Sequence, residues 1–185
     1  MNIKPPLPFL LAMILTGSPL AHAEKADASK PVTYDAESGY ADDTKQELHL
    51  QTNVVITRGS LTIKGDKALL VKDPSGYQYF TIYAAPGSRT TFRQKRDGGP
   101  DLWVEGEAER IEYNDKTDIA KLISKAKMRR LDAGKPTDEM QGEFISYDSR
   151  AEFVSNLNSV TGTSKPGGGR ISGVIYPRAD AKDQQ

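Results

Sequence analysis

Cysteine is absent from the 185 residues, and there are only one tryptophan and two histidines. Without thiols there is no disulfide and no cysteine nucleophile, and a zinc site would have to be built mostly from carboxylates. A chain of this size can bury enough apolar surface to fold without covalent cross-links. Charge of one sign is also missing: 25 Lys plus Arg stand against 25 Asp plus Glu, without the basic excess of a nucleic-acid binder. The glycine-rich stretches GGPD and PGGG are turns with no Lys-Ser helix after them, so neither is a phosphate loop. No cofactor is expected.

Long apolar runs are missing as well. The one apolar segment of note, residues 7–15, follows Lys4 and precedes Ala21-His22-Ala23, a small-x-small sequence of the kind signal peptidase cuts. It is shorter than the ~20 residues that span a bilayer. Residues 1–23 therefore read as a cleaved export signal, 24–177 as one domain and 178–185 as a flexible polar tail. His22 leaves with the signal. His49 remains, in ELHLQ, where alternation puts it on the strand face opposite Leu48 and Leu50, a poor basis for acid-base catalysis.

What the chain has in quantity is β-branched residues in short alternating runs. Period-2 segments fall at 47–51, 53–57, 61–64, 77–83, 90–94, 102–104, 110–113, 119–128, 144–147, 151–157 and 171–176. Between many of them lie turn clusters such as DPSG, APGS, RDGGPD, DAGKPTD and SKPGGG. Helical periodicity is almost absent, so the fold class is all-β: a sandwich, barrel or roll. Acidic residues gather at the turns, in Asp73-Pro74-Ser75-Gly76, Asn114-Asp115-Lys116 and Tyr147-Asp148-Ser149, which favours Asx turns over a catalytic carboxylate pair. A weak repeat recurs at Gly65-Asp66, Gly106-Glu107 and Gly142-Glu143, each Gly-acid step opening a strand. Stacked units of that kind share one continuous core.

Alternation also sorts faces. Leu48 pairs with Leu50, Leu61 with Ile63, Ile111 with Tyr113, and Phe153 with Leu157. On the longest segment Leu122, Ser124, Ala126 and Met128 share the inward face, and Lys121, Lys125, Lys127 and Arg129 the other.

Three stretches, NVVITRGSLTIKGDKALLV, VEGEAERIEYNDKTDIAKL and MQGEFISYDSRAEFV, taken in order and spacing, resemble the OstA-like (LptA) family of periplasmic lipopolysaccharide transport proteins over residues 31–177. Thr52 and Gly65 replace a family Gly and Ala, and Ser124-Lys125-Ala126 replaces Gly-Asn-Ala. A threonine adopts positive φ only at a cost, so the turn geometry at Thr52 is expected to depart from the family's.

The resemblance implies an elongated, open β-jellyroll of two facing twisted antiparallel sheets in the periplasm. It implies binding of lipopolysaccharide through lipid A, no catalysis, and partners in the inner-membrane C component, the outer-membrane translocon D component and further copies of the chain joined head to tail. It places Val32, Tyr34, Phe92 and Tyr113 in the lipid groove, alongside the alternation-derived Leu48, Leu50, Ile63, Ile111, Leu122, Met128 and Phe153. The Lys125, Lys127, Arg129 row is either a solvated face or a contact for phosphates. Two other readings stand beside this one: a secreted glycan hydrolase using two carboxylates, and a closed lipocalin-like barrel for a small lipid.

Overall fold

The structure is a computed structural model that describes residues 27–177; the expected signal segment and tail lie outside them. Twelve strands follow one another: β1 (Val32–Asp35), β2 (Ser38–Asp42), β3 (Glu47–Arg58), β4 (Leu61–Lys72), β5 (Gln78–Tyr83), β6 (Thr90–Lys95), β7 (Leu102–Ala108), β8 (Arg110–Asn114), β9 (Ile119–Asp132), β10 (Lys135–Asp148), β11 (Phe153–Leu157) and β12 (Ser172–Ile175). The pairings among these strands are antiparallel.

The acidic turn residues do what Asx chemistry predicts. Asp42 Oδ1 accepts from the Thr44 hydroxyl at 2.6 Å, Asp73 Oδ1 from the Ser75 and Tyr77 amides at 2.8 and 2.9 Å, and Asp148 Oδ1 from the Ala151 amide at 3.0 Å. Three turns then enter the next strand through a left-handed residue, Gln46, Asp118 and Glu152, with φ of 56°, 54° and 49°.

A single continuous sheet, rather than two separate ones, builds the roll. The long strands β3, β4, β9 and β10 each run through both halves of it, bending midway. One half, the first leaf, holds β1, β6, β7, β12 and the matching lengths of the four long strands; the second leaf holds β2, β5, β8 and β11 with the rest.

The bend is written twice in the same terms. In β3, Thr52 and Asn53 both take the left-handed conformation (φ 66° and 54°), and in β9 so do Ser124 and Lys125 (φ 67° and 51°). The Thr52 carbonyl accepts from the Glu37 amide at 3.1 Å while Asn53 Nδ2 donates to Glu37 Oε1 at 2.5 Å. The Ser124 carbonyl accepts from the Glu109 amide at 3.0 Å while the Ser124 hydroxyl donates to Glu109 Oε2 at 2.6 Å. Thr52 thus adopts the positive φ that its side chain disfavours, held there by these bonds to Glu37. Ser124 leaves the inward row in which alternation put it, because two successive left-handed residues turn its hydroxyl to Glu109.

Between the leaves lies one apolar core. Ile63, Ile82, Ile111, Leu122 and Ile145 are 0% exposed, and Phe80, Phe92 and Tyr147 are 1% exposed. Fully burying side chains of this size is worth ~1.5–3 kcal/mol each, enough to hold the two leaves face to face. Close approach is set by glycine: a Cβ on Gly65, at the bend of β4, would meet Ile82 Cγ2 at 2.4 Å and the Tyr83 carbonyl at 2.8 Å.

Candidate functional site

The sequence-predicted set separates into three groups. Leu50, Ile63, Phe92, Ile111, Tyr113, Leu122 and Met128 come together in the common core. Val32 and Leu48 are partly buried and pack against its rim. Tyr34 pairs with the buried Ile56 and so shares the inner face, but it sits on edge strand β1 and is 54% exposed. Phe153 does not belong with them. It pairs with Asp148, whereas its neighbour Val154 pairs with the buried Tyr147, so Val154 takes the inner seat and Phe153 points outward, 64% exposed. The left-handed Glu152 just before it sets that parity, and both 153 and 154 are apolar, so alternation alone points to the wrong one.

The inner face forms an apolar seam that reaches both edges of the sheet. At one edge β1 and β2 pair only with β3; at the other β11 and β12 pair only with β10. The seam emerges at Tyr34 on the first edge, and at Met140 and Val154 on the second, where Ile175 of β12 lies 87% exposed opposite Asp138. Two unpaired edges also rule out the closed barrel considered from the sequence, since closure requires every strand to be paired on both sides.

Along its length the seam has two unlike borders. At the bend, the backbone passes from leaf to leaf through the four long strands and through the links after β1, β5, β7 and β11, the last of them spanning residues 158–171. At the opposite border, among the described residues, no main chain crosses. Polar side chains meet there instead. Arg58, at the end of β3, donates from Nη1 to Asp118 Oδ1 at 3.2 Å and to the Tyr113 hydroxyl at 3.3 Å, and from Nη2 to the Ala28 carbonyl at 2.5 Å. The Tyr113 hydroxyl donates to the same Asp118 oxygen at 2.9 Å, and Arg150 Nε to Oδ2 at 2.6 Å. Burial, and then the Asp118 charge, push the Tyr113 phenol well above its usual range, so it remains a donor. Desolvation likewise raises the carboxyl of neighbouring Asp115, whose Oδ1 accepts from the Gln78 amide at 2.7 Å. Nearby, Arg96 of the β6–β7 loop meets Glu152 of the β10–β11 turn at 2.9 Å. Arg58 continues the inner-face rhythm of Val54 and Ile56, and that rhythm was the available signal that a charge lies inside.

The outer face of the first leaf carries the basic row. Lys125, Lys127 and Arg129 each face an acid near β7, at Glu109 (2.7 Å), Glu107 (3.1 Å) and Glu105 (2.6 Å), and Arg93 reaches Glu105 from β6 at 3.3 Å. A trough of about 830 Å³ runs along this face, lined by the Arg93, Glu105, Glu107, Lys127 and Arg129 side chains together with Lys64, Glu139, Gln141 and Val174, and bordered by Phe92, Met128 and Met140. Arg93, Lys127 and Arg129 of its lining already have carboxylate partners. The sequence showed the basic row without showing that an acidic row lies opposite, because cross-strand partners far apart in sequence have no local signature.

Comparison with known proteins bears on this geometry. The family described as LptA/(LptD N-terminal domain) LPS transport protein matches residues 33–153. The lipopolysaccharide export system protein LptA of Haemophilus influenzae is 28% identical over 170 residues, 91% of this chain and 90% of that protein. The export system protein LptH of Pseudomonas aeruginosa is 28% identical over 181 residues, 96% of each. The crystal structure of LptH, described as the LptA homologous periplasmic component of the conserved lipopolysaccharide transport device of Pseudomonas aeruginosa, superposes with a TM-score of 0.69 at 25% identity, covering 82% of this chain and 99% of that one.

Proposed function

This chain belongs to the LptA/(LptD N-terminal domain) LPS transport family, and we propose that it carries lipopolysaccharide through the periplasm with the lipid A acyl chains held in the apolar seam between its leaves. It is a periplasmic, non-enzymatic transport protein. The observation that supports the acyl-chain reading is the continuity of the seam, from Tyr34 near one edge to Met140 and Val154 near the other, through a core of aliphatic and aromatic side chains. The turn roles of Asp42, Asp73 and Asp148 support the structural reading of these carboxylates over the hydrolase one.

An acyl chain gains ~0.8 kcal/mol for each methylene it buries. Leaving a bilayer is uphill unless the seam offers equivalent apolar surroundings, while transfer between two like seams is nearly neutral. Any work, such as nucleotide hydrolysis, is then supplied by a partner. The two exposed edges suit such a relay. Unpaired strand edges recruit other strands, and since β1 and β12 differ, pairing them is heterologous and extends into a head-to-tail chain rather than closing a dimer. In this reading the inner-membrane C component and the outer-membrane translocon D component cap the two ends by the same strand addition.

A photoreactive aromatic amino acid placed at Phe92, 1% exposed in the seam, should cross-link to lipopolysaccharide, whereas the same replacement at Lys125 on the outer face should not. Equal labelling at both positions would overturn the reading.

A further inference from the structure

The interior side chains leave one another no room: Ile63, Ile82, Ile111 and Leu122 are all 0% exposed. Cores at this packing density do not admit an acyl chain without moving apart. The two leaves cannot separate at the bend, where four strands run through and the left-handed pairs at 52–53 and 124–125 are tied to Glu37 and Glu109. They can separate at the opposite border, where, among the described residues, side chains rather than a crossing main chain make the links. Arg58 reaches the second leaf through the Tyr113 hydroxyl at 3.3 Å and the Asp115 carbonyl at 3.5 Å, and two ion pairs join the leaves as well. Arg58 of the first leaf meets Asp118 of the second at 3.2 Å, and Arg96 of the first meets Glu152 of the second at 2.9 Å. Asp118 is further held by Arg150, from the turn that also carries Glu152.

We propose that the Arg58–Asp118 and Arg96–Glu152 ion pairs form a clasp across the open border, which keeps the leaves at this spacing and must release before the seam takes in an acyl chain; the inference rests on the seam being the lipid site. The arrangement follows hinge logic. Backbone joins the leaves on one side, and a reversible contact joins them on the other. Its two members differ in burial. Arg58 and Asp118 are 10% and 8% exposed, so their release is the costly step, while Arg96 and Glu152, at 14% and 40%, form the more accessible link.

Because the chain has no cysteine, the clasp can be locked without side reactions. The full chain is made as the double variant Arg96→Cys, Glu152→Cys and bridged with a reducible bis-maleimide; loading of fluorescently labelled lipopolysaccharide is followed before and after the bridge is cleaved. The bridged protein should load at least ten times more slowly than the same protein with its bridge cut. The unbridged double variant, and separately Glu152→Gln, should load a few-fold faster than the parent, since each removes one link. Loading that is equally fast with the bridge in place would overturn the clasp, as would an unchanged rate for Glu152→Gln. An unbridged protein and a parent that both take up no lipopolysaccharide would overturn the lipid reading of the seam, and the clasp with it; that failure is told apart because it involves no tether.

Discussion

Arg58 and Asp118 belong to opposite leaves and lie 60 positions apart in the chain, yet their side chains meet at 3.2 Å with 10% and 8% of their surface exposed. Removing one member leaves the other charge buried. Asp118→Ala should destabilise the fold by about 3–5 kcal/mol, the usual cost of orphaning a buried partner. Arg150→Ala, which removes the 54%-exposed guanidinium on the same carboxylate, should cost no more than about 1 kcal/mol. Urea unfolding of the two variants checks the contrast, and equal losses would mean that the buried link carries no special weight.

At the bend of β4, Gly65→Ala brings a methyl group within 2.4 Å of Ile82 Cγ2, itself 0% exposed, and within 2.8 Å of a backbone carbonyl. Neither neighbour is the free end of a flexible side chain. Overpacking of this kind costs about 1–3 kcal/mol, and thermal unfolding should show it as a lowered Tm. A variant as stable as the parent would show that the leaves can already shift apart at the bend.

Hydrogen bonds from Lys125, first, and from Ser124 hold the Glu109 carboxyl below its ordinary pKa. A carboxyl that binds its proton less readily in the folded state than in the unfolded one contributes stability above the unfolded pKa, and the contribution is lost as pH falls through the folded value. Glu109→Gln should therefore be less stable than the parent near neutral pH and converge with it in acid. Denaturant midpoints measured across that range test the sign, and a gap that widens on acidification would refute it.

Ile175 is 87% exposed at the edge strand β12. Ile175→Lys should leave stability within about 0.5 kcal/mol, as surface changes do, while an edge lysine opposes strand addition. Light scattering should then show weaker self-association at matched concentration. Unchanged oligomers would place the contact elsewhere.

Most strands were legible in the sequence because alternation, β-branched residues and Asx turns agree locally, as at 47–51 and 110–113. The inner set was legible wherever one parity was apolar and the other polar, as with Ile111 and Leu122. Legibility failed at Phe153, where both parities are apolar, and at Ser124, where two left-handed residues interrupt the alternation. It failed more deeply for Arg58. The carboxylate that makes a buried arginine tolerable comes from a turn two hairpins away, and only the folded sheet shows that it arrives.

The left-handed turn residues Gln46 and Asp118, the bend pairs 52–53 and 124–125, and the anchoring glutamates 37 and 109 all recur at the same interval of 72 positions. The molecule is thus a length of corrugated ribbon whose corner is specified locally, by a few residues each time. Such a ribbon can be lengthened by duplication without redesigning a core: each added pair of strands would extend it by ~10 Å at the spacing of neighbouring strands. Reach across a compartment is then adjustable in two ways, by how many copies are joined and by how many corrugations each copy contains.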